Sequence, residues 1–135
     1  MIEEIYKRLI EGFDPERDLP APPIKDLIVR RIDKSELKDN GDGTFDYDGD
    51  LDFRNLNLKS LFEIPYKFRY VSGYFYCSFN ELTSLKGAPE KVGGDFHCRY
   101  NKLTSLNGAP EKVGDDFSCG NNLVPEKDLL KTLKR

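Results

Sequence analysis

The sequence has one histidine, three cysteines and no surplus of basic residues, and each shortage closes off a class of function. Lys and Arg total 21 against 24 Asp and Glu, a formal net charge of −3. Such a chain has no general attraction for nucleic acid or for an anionic membrane. No apolar run approaches the roughly 20 residues that cross a bilayer, and the first residues carry no signal-peptide apolar region. A cytoplasmic location with reduced thiols is therefore expected. The single histidine, His97, has no evident nucleophile beside it and no Gly-rich phosphate loop is present. Neither enzyme activity nor a cofactor is expected.

What is present is repetition. Gly73 to Asn80 reads Gly-Tyr-Phe-Tyr-Cys-Ser-Phe-Asn, returns in altered form at Gly94 to Asn101, and opens again at Asp115 to Asn122. The step is 21 residues, taking Phe75 to Phe96 and Phe117, Cys77 to Cys98 and Cys119, and Asn80 to Asn101 and Asn122. Between them, Leu82 to Val92 recurs almost unchanged as Leu103 to Val113. A fixed period of this length predicts a solenoid, in which each repeat is one turn of a coil. Alternate residues of a short strand point inward, so Phe96 and Cys98 face the core and His97 faces out. Asn101 sits where the chain leaves the strand, and its amide can satisfy backbone groups that the bend leaves unpaired. Stacked copies predict an asparagine ladder. Gly108 supplies a bend and Pro110 stiffens the return, so each turn is expected to be one strand plus an irregular return. The 38% apolar content suits a thin coil that buries one row of side chains per turn.

A divergent copy precedes the obvious ones. Gly49 to Arg54 matches Gly94 to Arg99, and Leu58 to Leu61 matches Leu103 to Leu106, with three extra residues within Tyr66 to Tyr70. Four stacked parallel strands follow, with Leu56 in place of the first ladder asparagine. Upstream, Asp39 to Gly43 is a turn signal predicting a hairpin between Leu37-Lys38 and Thr44 to Tyr47. The acids Asp42, Asp46, Asp48, Asp50 and Asp52 invite a calcium site. Counted from Asp46, however, Leu51 stands where an EF-hand loop requires glycine, which favours outward carboxylates over a cation site. Residues 1–38 form an N-terminal helical cap in this scheme, with an amphipathic stripe at Ile2, Ile5, Tyr6, Leu9 and Phe13, a proline connector, and a short helix around Ile24, Leu27, Ile28 and Ile32. Residues 39–124 form the solenoid. Residues 125–135 form a capping helix opened by Pro125, with Leu129, Leu130 and Leu133 covering the last turn. The expected fold class is α+β, a single compact unit.

The stretch from Asn80 to Cys98, together with Asp42-Gly-Thr44 and Asp48-Gly-Asp50, resembles leucine-rich-repeat proteins of a short 21-residue type found in bacterial effectors and in uncharacterised bacteriophage proteins. The resemblance covers roughly residues 39–124. It implies a protein-interaction scaffold with a concave strand face, and a host protein as target if the chain is viral, acting then in the host cytoplasm.

Three cysteines and a histidine suggest zinc, but the cysteines occupy the same inward position of successive turns. They would form a column about 4.8 Å apart per strand instead of a tetrahedral cluster, so no metal is expected. The outward strand positions are the candidate partner-binding residues: Asp52 and Arg54, Tyr74 and Tyr76, Asp95, His97 and Arg99, and Asp116. Aromatic and arginine side chains supply binding hot spots, and the flanking carboxylates favour a basic or mixed-charge protein surface. A monomeric binding module is the expectation. A small assembly protein acting by self-association is the alternative.

Overall fold

The computed structural model describes residues 23–125. The stripe at Ile2 to Phe13, the proline connector as far as Pro22, and the capping helix beyond Pro125 lie outside the described residues. Chain order begins with α1 (Ile24–Arg30) and a 3-10 turn (Lys34–Glu36). It continues through β1 (Leu37–Asp39), β2 (Phe45–Tyr47), β3 (Leu51–Asp52), a second 3-10 turn (Leu61–Glu63), β4 (Phe68–Val71), β5 (Phe75–Tyr76) and β6 (Lys91–Val92). The last strands are β7 (Phe96–His97), β8 (Lys112–Val113) and β9 (Phe117–Ser118).

The strands β3, β5, β7 and β9 stack in that order, all parallel. Leu51, Phe75, Phe96 and Phe117 share one column, while Asp52, Tyr76, His97 and Ser118 share the next. This is the register required by the 21-residue period and by the divergent first copy. Among the described residues the fold is a β-solenoid of about four turns with one α-helix in front.

One expectation needs correction. The return is not wholly irregular, because β1, β2, β4, β6 and β8 form a second sheet, parallel throughout except for the β1–β2 hairpin. Two-residue strands such as Lys91-Val92 are too short to show a period of two in sequence, and the glycines that follow them read as loop. They are instead close-approach sites: a Cβ on Gly94 would stand 2.9 Å from the Gly73 carbonyl carbon, and one on Gly93 would strike the Ser72 carbonyl oxygen. The glycines thus let the chain turn from one sheet to the other against the turn below. At the first step the period lengthens: Asp46 pairs with Tyr70 while Phe45 pairs with Phe68, so Arg69 bulges out and forms a bidentate pair with Asp46.

The core is a row of columns. Phe75 stacks on Phe96 at 5.7 Å and Phe96 on Phe117 at 5.4 Å, with Cys77 and Cys98 buried beside them. In the first turn the large and small positions exchange, Leu51 standing under Phe75 and Phe53 in the cysteine column, which keeps the layer filled. At the upstream end Ile28 and Ile32 of the α1 segment join this core, and Arg31 Nη1 donates to the Asp52 carbonyl on the outer edge of β3 at 3.1 Å.

The asparagine ladder forms as expected. Asn80 Oδ1 accepts from the amides of Leu56 and Leu58, both at 3.0 Å, while its Nδ2 donates to the carbonyls of Phe53, Cys77 and Ser78. Asn101 and Asn122 repeat the arrangement with Leu82 and Leu103 as donors. One side chain therefore ties two turns together with no water needed, and removing it leaves several buried backbone groups unpaired. Asn80→Ala is expected to cost about 3 kcal/mol or more in urea denaturation, and Asn122→Ala distinctly less because its site is only partly buried. Equal losses at the two sites would show that the ladder does not act through burial.

Candidate interaction face

The outward side chains of the four-stranded sheet come together as the register dictates. Tyr74 and Tyr76, two residues apart on one strand, stack at 3.9 Å, and Tyr76 stacks in turn on His97 of the next strand at 4.5 Å with only 11° between the planes. The repeat makes this possible, since strand spacing is close to the thickness of a stacked ring pair. Arg54 lies 5.2 Å from the Tyr76 centroid and is held there by Asp52, through Nε to Oδ1 at 2.8 Å and Nη2 to Oδ2 at 2.6 Å. The hydrogen bond from Arg54 holds the Asp52 carboxyl below its ordinary pKa. Burial and the nearby carboxylate of Asp95 push the Tyr76 hydroxyl up from its ordinary pKa.

The carboxylates are less free than their outward position suggests. Asp50 Oδ1 accepts from the Tyr74 amide at 2.9 Å, and Asp95 Oδ1 from the Asp116 amide at 2.8 Å. Each thereby caps the start of the strand one turn on. The second oxygen of Asp95 stands 3.9 Å from His97 Nε2. Ser78, aligned with the outward rows, is instead 5% exposed and accepts from the Arg99 amide at 3.1 Å. Tyr74, Tyr76, Asp95, His97, Asp52 and Arg54 are thus gathered in one patch. Arg99 leads away from it toward Asn121, where Nη2 donates to Oδ1 at 3.4 Å.

Two exposed rings at the rim were not legible as a site from sequence. Phe79 and Tyr100, 49% and 46% exposed, stack at 4.6 Å with 8° between planes. Both hold left-handed backbone, φ 58° and 57°, at the position occupied by Asn55 in the first turn and Asn121 in the last. Asparagine tolerates that conformation, whereas a bulky side chain there costs about 1 kcal/mol or more. The signal that could have found them is this exchange of aromatic for asparagine directly before each ladder residue.

The acidic stretch does not converge. Asp42 accepts from the Thr44 amide and hydroxyl, Asp46 pairs with Arg69 and Asn40, Asp48 accepts from the Ser72 hydroxyl, and Asp52 pairs with Arg54. Among the described residues no three acid, histidine or cysteine side chains group as metal ligands. No described helix is long and apolar enough to cross a membrane. No protein-family model, curated protein or solved structure matches the chain.

The thiols form the inward column. Cys77 and Cys98 are buried, Cys119 is half-buried, and burial pushes all three thiols up from their ordinary pKa. The unfolded chain releases these protons from about pH 8.5 while the folded one keeps them. Above that pH the unfolded state binds fewer protons, so stability falls as pH rises. Thiol labelling of the native protein at pH 8 should modify Cys119 ahead of Cys77 and Cys98, which become reactive on unfolding. A Cys77→Ala/Cys98→Ala variant should show a shallower alkaline fall in its urea midpoint than wild type. Rapid native labelling of all three thiols would contradict the buried column.

Proposed function

We propose that the chain is a non-enzymatic protein-binding module of the leucine-rich-repeat type, which engages a protein partner through the outward face of its four-stranded sheet. The observation that carries this reading is the Tyr74–Tyr76–His97 stack. Three ring side chains are pre-ordered on a hydrogen-bonded ladder, so little side-chain freedom is left to lose on binding. Tyrosine and arginine at the centre with carboxylates around them suit a basic or mixed-charge surface. The leucine-rich assignment draws on the Phe-x-Cys-x-x-Asn-x-Leu spacing and the ladder it builds. Membership among bacterial or bacteriophage effectors, with a host protein as target in the cytoplasm and a monomeric chain, completes the proposal on the resemblance alone.

The test is affinity capture from bacterial lysate with wild type beside a Tyr74→Ala/Tyr76→Ala/His97→Ala variant, whose fold is checked by circular dichroism and whose mass is checked by light scattering. A protein retained by wild type and lost by the folded variant is the expected result. A chain that is oligomeric by light scattering, with the triple variant unchanged in both assays, would favour self-association instead.

A further inference from the structure

The rim aromatics carry an internal example of how this surface meets a cation. Tyr100 has Phe79 stacked on it from the preceding turn. Toward the following turn lies the Arg99 guanidinium, its Cζ 5.7 Å from the Tyr100 centroid and its Nη2 donating to Asn121 Oδ1. A cation thus lies over the outer face of the ring pair, beside an asparagine in left-handed backbone.

The other end of the stack offers the equivalent sequence position without the cation. Phe79 faces the first turn, where the same position is Asn55, exposed, at φ 59°, and without a hydrogen bond from its carboxamide to the described residues. Arg54, the counterpart of Arg99 in the first turn, is held by Asp52 against Tyr76 and does not cover Phe79. Among the described residues no ring or guanidinium stacks on that face. Both aromatic positions hold left-handed backbone, as Asn55 and Asn121 do at the same place in the end turns.

We infer that the rung at the level of Asn55, on the open face of Phe79, is a binding position for an arginine side chain of the protein partner. The guanidinium stacks on the open face of Phe79 and donates to Asn55 Oδ1, as Arg99 does with Tyr100 and Asn121. A guanidinium suits this rung better than an ammonium because it is planar and keeps in-plane N–H donors while its face is covered. Asp50 and Asp95 cap strand starts on the adjoining sheet and Asp52 is paired with Arg54, and this carboxylate favours a basic segment over an acidic one. This assignment rests on the proposed protein-binding role but identifies its own contact.

The experiment is an NMR titration of the full chain with two capped peptides, Ac-Gly-Arg-Gly-NH2 and Ac-Gly-Lys-Gly-NH2, following the Phe79 ring and the Asn55 carboxamide. The arginine peptide should produce saturable shifts at both groups, at least threefold tighter than the lysine peptide. Phe79→Asn, which places in the left-handed position a residue suited to it and so keeps the fold, should abolish them. Asn55→Asp, equally compatible with that backbone, should tighten binding several-fold. Equal response to the two peptides, shifts confined to Asp50, Asp95 and Asp116, or shifts that survive Phe79→Asn would overturn the assignment. So would contact between the Phe79 ring and one of the chain's own arginines before peptide is added. Loss of the Phe79 response alongside intact partner capture through Tyr76 would sink this rung alone. A clean Phe79 response without any captured partner would sink the wider role alone.

Discussion

Every turn of this coil must leave its strand through a bend, and a bend strands backbone donors and acceptors in the interior. The buried carboxamides of Asn80, Asn101 and Asn122 resolve that conflict. Each accepts from the turn before it and donates to carbonyls of both turns, so a single side chain sets the spacing and the register at once. The residue in front of each holds left-handed backbone, as Asn55 does in front of the buried Leu56, so the conformation belongs to the bend that brings the next side chain inward. Where the position before the ladder residue is asparagine the strain is small, and where it is Phe79 or Tyr100 the rest of the turn has to hold it.

The surface inherits the same spacing. Because successive turns lie about one stacked ring apart, aromatics placed at the same position of neighbouring turns can stack with their counterparts. This happens inside with Phe75, Phe96 and Phe117, on the sheet face with Tyr76 and His97, and at the rim with Phe79 and Tyr100. A flat, ordered aromatic surface is thus a consequence of repetition and needs no further device. Charges behave differently: Asp50 and Asp95 each commit one oxygen to the backbone of the next turn, and Asp52 is committed to Arg54. The acidic character of the face is partly structural.

The second sheet follows from the glycines. Gly73, Gly93, Gly94 and Gly114 carry no side chain because the backbone of the neighbouring turn already occupies that space. Only with that close approach can Val71, Val92 and Val113 pair in parallel a few residues before the main strands begin. The coil therefore has two hydrogen-bonded walls, and its returns through Pro89 and Pro110 bury both prolines against the core.

By itself the sequence determined the period, the four-strand register, the inward phenylalanine and cysteine columns, the asparagine ladder and the hairpin at Asp39 to Gly43. All of these depend on residue identity at fixed spacing, which a chain that repeats itself displays openly. Tertiary structure alone decided the second sheet, the burial of Ser78, the capping work of Asp50 and Asp95, and the stacked pair at Phe79 and Tyr100. Those depend on what the turn above or below places opposite a residue. Two-residue strands, a serine that accepts across turns and a ring in left-handed backbone have no local pattern of their own; they exist because stacking brings residues 21 or 24 apart to within hydrogen-bonding distance.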